Sequence, residues 1–207
     1  MKKKIVVTVF SVLLATTMMP LSAFAESDLN NEKKAATEIT KQINENVYQL
    51  LDFDDKQEEE FATKGFITAP ETLTIKDDND NTIFDQSVYD FVKDTDAPDS
   101  ANPSLWRNTQ LNTNYGLFQV TDDIYQVRGY DVSNMTFVRS DNGWIILDCL
   151  ASETTAKAAL DLFKSEMGDV HISAVIISHA HVDHYGGIQG ILTAEELADS
   201  TLSLEDQ

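Results

Sequence analysis

The sequence predicts an α/β (α+β) fold built in layers, and three observations carry that expectation. Four short β-rich runs, "LFQV", "IYQVRG", "MTFVRS" and "WIILD", follow one another between residues 117 and 148, separated by turn residues. Ala156, Ala159, Leu160, Phe163 and Met167 then recur at helical spacing. The next run, "HISAVIIS", is continuously apolar and β-branched, as in strands covered on both faces. A meander followed by helix and strand gives layered α/β architecture, with a ligand site expected at the carboxyl end of a central strand.

Taken in order, "MKKKIVVTVFSVLLATTMMPLSAFA" has the three parts of an export signal: a basic start, an apolar stretch and small residues at Ala23 and Ala25. An uncleaved anchor is the alternative, but the apolar run is short for spanning and ends in Thr, Pro and Ser. The reading is a signal peptide over 1–25, leaving 207 − 25 = 182 residues exported to a periplasmic or extracellular site. Ala36, Ile39, Ile43, Val47 and Leu50 predict an amphipathic helix that covers something downstream. "ETLTIKDDNDNTIFD" predicts a hairpin whose Asp and Asn cluster is a turn, since it lacks the glycine and distal glutamate of a calcium loop. "DTDAPDSANPSLWRNTQLNTNYG" reads as irregular, so 26–114 is expected to be an extension and 115–207 the main domain. Ser152 is expected to cap the helix that follows the meander, and Gly168 to end it.

The net charge of −20 falls to −23 without the three leader lysines, which argues against nucleic-acid or anionic-membrane partners. Cys149 is the single cysteine, so no disulfide forms within the chain, and its place after an apolar strand suits a small buried side chain. No stable membrane anchor is expected in the mature chain.

Three of the four histidines fall in "SHAHVDHYGG", as His179-x-His181-x-Asp183-His184. On extended backbone, His179 and His181 point the same way and can reach one ion; after a turn, Asp183 and His184 can serve a second. Neutral imidazoles and a carboxylate suit zinc-like ions, and a pair of such ions makes hydrolysis the natural chemistry. Gly186 and Gly187 let the chain turn and pack closely. His171, at the start of its strand, reads as ordinary rim.

HxHxDH after such a strand, preceded by "GWIILD" and a helix, resembles the metallo-β-lactamase fold superfamily over roughly residues 117 to 192. "NPSLWRNTQLN", "GLFQVTDDIYQVRGYDVSNMTFVRSDNGWIILD" and "AVIISHAHVDHYGG", with "TKGFITAP" before them, resemble the alkyl sulfatases from about Phe61 to Gly190. Cys149 stands where that family has proline, and Tyr185 where it has phenylalanine. The resemblance implies an αβ/βα sandwich, two zinc ions, a long-chain alkyl sulfate substrate such as dodecyl sulfate, and a homodimer. It assigns His179 and His181 to the first ion, and Asp183 and His184 to the second. No catalytic residue beyond these ligands is assigned.

Asp148 is a candidate carboxylate behind the ligands, orienting a histidine, or else a cap or turn residue. Tyr130, Asp131, Ser133 and Asn134 lie where loops of this fold overhang the metals, and are candidates for substrate contact or a plain hairpin turn. Family members continue for hundreds of residues with further ligands, so the chain reads as the first half of the fold, truncated and inactive alone. Another hydrolase of the same fold, such as a β-lactamase, and an inactive remnant stay open.

Overall fold

Residues 34–193 are described in a computed structural model. The leader expected at 1–25 and the last stretch, 194–207, lie outside the described residues. The chain divides after residue 35, and every described element belongs to the second unit.

Helix α1 (Glu38–Leu50) forms where its spacing predicts, and the Thr37 hydroxyl caps it by accepting the Thr40 amide. Its apolar stripe does not cover a core. No α1 residue is buried, and Ile39 and Leu50 are 72% and 80% exposed. Periodicity reports which face is apolar, not whether a neighbour meets it.

A short helix α2 (Gln57–Thr63) leads to β1 (Phe66–Thr68). Then come β2 (Thr74–Lys76) and β3 (Thr82–Asp85), paired antiparallel as the expected hairpin. The Asp77 carboxylate accepts the amides of Asn79 and Asn81, which makes the acidic cluster a self-contained turn. The stretch expected to be irregular contains α3 (Pro103–Leu111), which corrects that expectation. Asn102 accepts the amides of Ser104 and Leu105, and Pro103 follows in the first turn, where its missing N–H leaves nothing unpaired.

The main sheet has six strands in the order β1-β4-β5-β6-β7-β8. Its further members are β4 (Gly116–Thr121), β5 (Ile124–Arg128), β6 (Met135–Ser140), β7 (Gly143–Leu147) and β8 (Ile172–Ile176). Neighbours pair antiparallel as far as β7, while β7 and β8 pair parallel. Through β1 the extension shares this sheet with the meander.

The parallel connection runs through α4 (Glu153–Met167), capped by the Ser152 hydroxyl and ended at Gly168 with φ 80. Alternate residues of β5, β6 and β7 point at this helix: Tyr125, Val127, Met135, Phe137, Trp144 and Ile146 are all buried. Ala156, Ala159, Leu160 and Phe163 meet them from α4. Phe163 is the hub, stacked on Phe137 at 3.8 Å and edge-on to Trp144 at 4.9 Å.

Strand β8 departs from expectation. It is the last strand of the sheet among the described residues, not a central one. It is not buried on both faces either: Ser173, Ala174 and Ile176 are exposed, with Ile176 at 50%. A continuous apolar run records that a strand is fit to be covered; here α4 covers one side of the sheet and no further described strand flanks β8. Among the described residues, no helix is long and apolar enough to cross a membrane.

Candidate metal centre

The cluster is assembled where β7 and β8 end side by side. The Asp148 amide donates to the Ile176 carbonyl at 2.9 Å, carrying the parallel pairing one step past β7. The chain then turns through Asp148 and Leu150, both left-handed with φ of 59 and 63. Asp visits that region readily, whereas leucine there is strained and is held by complete burial.

Beyond β8, residues 177–181 run into α5 (Val182–Tyr185), a single turn with His181 at its N-cap. The His184 carbonyl accepts the Cys149 amide at 2.8 Å, and the Leu150 carbonyl accepts the Gly187 amide at 3.0 Å. These bonds clamp the histidine loop onto the turn after β7. Gly187 makes the clamp possible, because a Cβ there would stand 1.9 Å from the Cys149 carbonyl oxygen.

This packing brings all four candidate ligands together, in two pairs. His179 Nε2 lies 3.1 Å from His181 Nδ1, and His184 Nε2 lies 3.2 Å from Asp183 Oδ2. The pairs adjoin, with the rings of His179 and His184 4.0 Å apart. Zinc bonds of about 2.0–2.2 Å set tetrahedral ligand atoms about 3.3–3.6 Å apart. Each pair therefore has close to the spacing of one edge of such a site, and the donor chemistry fits a zinc-like ion. Among the described residues, no three histidine, cysteine or acidic side chains are disposed around one point.

Asp148 sits behind the cluster. Its Oδ2 accepts His184 Nδ1 and the Ser178 hydroxyl, each at 2.8 Å, while its Oδ1 accepts the Ser178 amide at 2.8 Å. Burial pushes this carboxyl up, but the Ser178 and His184 donors outweigh it and hold it below the ordinary carboxylate range. The same hydrogen bond raises His184 above the ordinary histidine value, against a smaller opposing effect of burial, with the charges of Asp148 and Asp183 adding to the rise.

The signs define a window in the ion-free protein. Stability from the ionised Asp148 is lost as pH falls through its depressed value; stability from His184 is complete below the ordinary histidine value and lost as pH rises through its raised one. Between these limits the pair is doubly charged. An NMR pH titration of the ion-free protein should show the His184 ring titrating above a free histidine; a midpoint at or below the ordinary value would contradict the pairing.

The loop candidates go to different tasks. Tyr130 is buried in the core, and burial, with the charge of Tyr115 adding to it, pushes its hydroxyl up to about 12. Asp131 Oδ2 accepts the Ala151 amide at 3.1 Å and the Thr155 hydroxyl at 2.6 Å, fixing the start of α4. The Ser133 hydroxyl donates to the Asp183 carbonyl and so holds the ligand loop itself. Asn134 is exposed and lines a cavity of about 470 Å³ with Gln86, Tyr89, Arg128, Asp131 and Val132. None of the four candidate ligands lines that cavity. Sequence reasoning missed Ser178 and Thr155, whose partners lie 30 and 24 residues away.

Cys149 is wholly buried, and its thiol is pushed up to about 11 by burial and then by the negative charge of Asp148. Thiolate is the reactive form, so Ellman's reagent at pH 8 should leave the folded protein unlabelled and react once denaturant is added. Rapid native labelling would contradict this burial.

Residues 128–198 match the metallo-beta-lactamase superfamily. The chain is 49% identical to a linear primary-alkylsulfatase of Pseudomonas sp over 160 residues, 77% of this chain and 24% of that protein. It is 41% identical to an (R)-specific secondary-alkylsulfatase of Pseudomonas sp over 89% of this chain and 27% of that protein. The chain is homologous to the alkylsulfatases. An alkyl/aryl-sulfatase of Saccharomyces cerevisiae is 34% identical to this alkylsulfatase homologue over 88% of the chain and 27% of the yeast protein. Among solved structures, the stereoselective inverting sec-alkylsulfatase Pisa1 from Pseudomonas sp. superposes with a TM-score of 0.71 at 44% identity, over 77% of this chain and 25% of that one. The homologue thus has the α/β metallo-β-lactamase architecture expected from its sequence, and spans about a quarter of the length of the curated relatives it matches.

Proposed function

We propose that this chain supplies the first metal-binding segment of an exported sulfuric ester hydrolase, which releases sulfate from long-chain alkyl sulfates such as dodecyl sulfate. The observation that carries the reading is the meeting of the two donor pairs, 3.1 and 3.2 Å across, at the paired ends of β7 and β8. Identity to three sulfatases supports the choice of ester. His179 and His181 would hold one zinc, and Asp183 and His184 the other. When bound, such ions acidify water and draw charge from an ester oxygen. The residues present orient the donors: Asp148 behind His184, Ser133 on the Asp183 backbone.

Two donors per ion fall short of the three protein ligands usual in open catalytic zinc sites, so in this reading the chain alone is inactive. In this reading the remaining segments of a longer, homodimeric protein complete each site. In the protein that contains this chain, sulfate release from dodecyl sulfate should disappear with a chelator and return with zinc. A zinc-loaded protein that leaves dodecyl sulfate intact would overturn the reading, and turnover of a cephalosporin instead would reassign it to β-lactam hydrolysis.

A further inference from the structure

We propose that Ser178 is a positioning residue whose hydroxyl ties His179 to Asp148, so that one carboxylate sets the ring state of a histidine in each donor pair. Asp148 reaches His184 directly, Oδ2 to Nδ1 at 2.8 Å. It reaches His179 through Ser178, whose Oγ lies 2.8 Å from Asp148 Oδ2 and 2.9 Å from His179 Nδ1.

Proton counting fixes the direction of this chain of bonds. A hydroxyl has one proton to give, and an ionised carboxylate is a stronger acceptor than a neutral ring nitrogen. The Ser178 proton therefore points at Asp148, leaving oxygen lone pairs to face His179. Nδ1 of His179 must then carry its own proton and donate it to Ser178. The lone pair of that ring is left on Nε2, the atom that faces His181 Nδ1 at 3.1 Å.

At His184 the same carboxylate accepts the hydrogen bond from Nδ1–H, so in the neutral ring the lone pair lies on Nε2, 3.2 Å from Asp183 Oδ2. The 3.5 Å from Ser178 Oγ to His184 Nδ1 is too long to compete with the 2.8 Å bond to Asp148. Both neutral rings are thus held in the form that presents the Nε2 lone pair outward, the form needed to ligate a metal through Nε2. The backbone helps to place the hydroxyl, because the Ser178 amide is itself held on Asp148 Oδ1 at 2.8 Å.

The consequence for ion binding rests on the metal reading, but the ring states do not. In the ion-free full chain, with both rings neutral, ring ¹⁵N shifts should show His179 and His184 as Nδ1–H forms. Ser178→Ala should mix the forms of His179 and leave His184 unchanged, and Ser178→Thr, which keeps the hydroxyl, should restore His179. Zinc titrations of the same proteins should give binding weaker by about 10-fold or more for Ser178→Ala and near wild type for Ser178→Thr. A merely structural serine would alter unfolding without moving the His179 shifts.

An unchanged His179 in Ser178→Ala, or no recovery with Ser178→Thr, overturns the proposal even if zinc binds. Responsive ring shifts in a complete protein, with every ligand-bearing segment present, that binds no zinc sustain the relay and overturn the metal reading instead.

Discussion

Phe163→Ala should destabilise the folded unit by about 3–5 kcal/mol, the range for removing a buried phenylalanine from a packed core. The ring is wholly buried in α4, stacked on Phe137 at 3.8 Å and edge-on to Trp144 and Tyr125 at 4.9 and 6.1 Å. Four aromatic rings from one helix and three strands cannot close over the space without moving the helix. For a unit of this size the change corresponds to about 6–20 °C in Tm. Thermal unfolding followed by near-ultraviolet circular dichroism would read both the loss of stability and the loss of ordered aromatics. A decrease below about 1 kcal/mol would mean that the site relaxes, and that Phe163 is not the hub of the core.

Asp148→Asn should weaken zinc binding about 10- to 100-fold, because the carboxylate accepts from both His184 and Ser178. Asparagine is the informative replacement. It keeps the side-chain shape and tolerates the left-handed backbone of φ 59, so any loss reports the missing charge and acceptor rather than a refolded turn. Competition with a chromophoric chelator measures the affinity directly, without requiring turnover. An affinity within twofold of wild type would remove Asp148 from the role of orienting the ligands.

Local pattern made most of the fold legible. The meander, the Ser152 cap, the Gly168 stop and the β2–β3 hairpin all rest on chemistry contained within a few residues. Helix α3 was hidden in a long polar stretch that reads as irregular, although Asn102 followed by Pro103 is a start signal. The faces of α1 and β8 were misjudged for another reason: apolar spacing describes one partner of a contact and is silent about the other.

The candidate site divides along the same line. The four ligand-type residues were visible as a motif. The supports were not, since Asp148 to Ser178 and Asp131 to Thr155 join residues far apart in the chain. Asp148 was singled out because it ends a strand beside the ligands; Ser178, with no periodicity or rare chemistry of its own, had nothing to mark it.

The position of β8 bears on how the centre behaves over time. Its amides are hydrogen-bonded to β7 alone among the described residues, while β5 and β6 are bonded on both sides. Deuterium should accordingly enter β8 and the loop beyond it well before the middle of the sheet. Ions held by His179 with His181, and by Asp183 with His184, would act as a latch on this fraying end, slowing exchange there and leaving the strands around Phe137 unaltered.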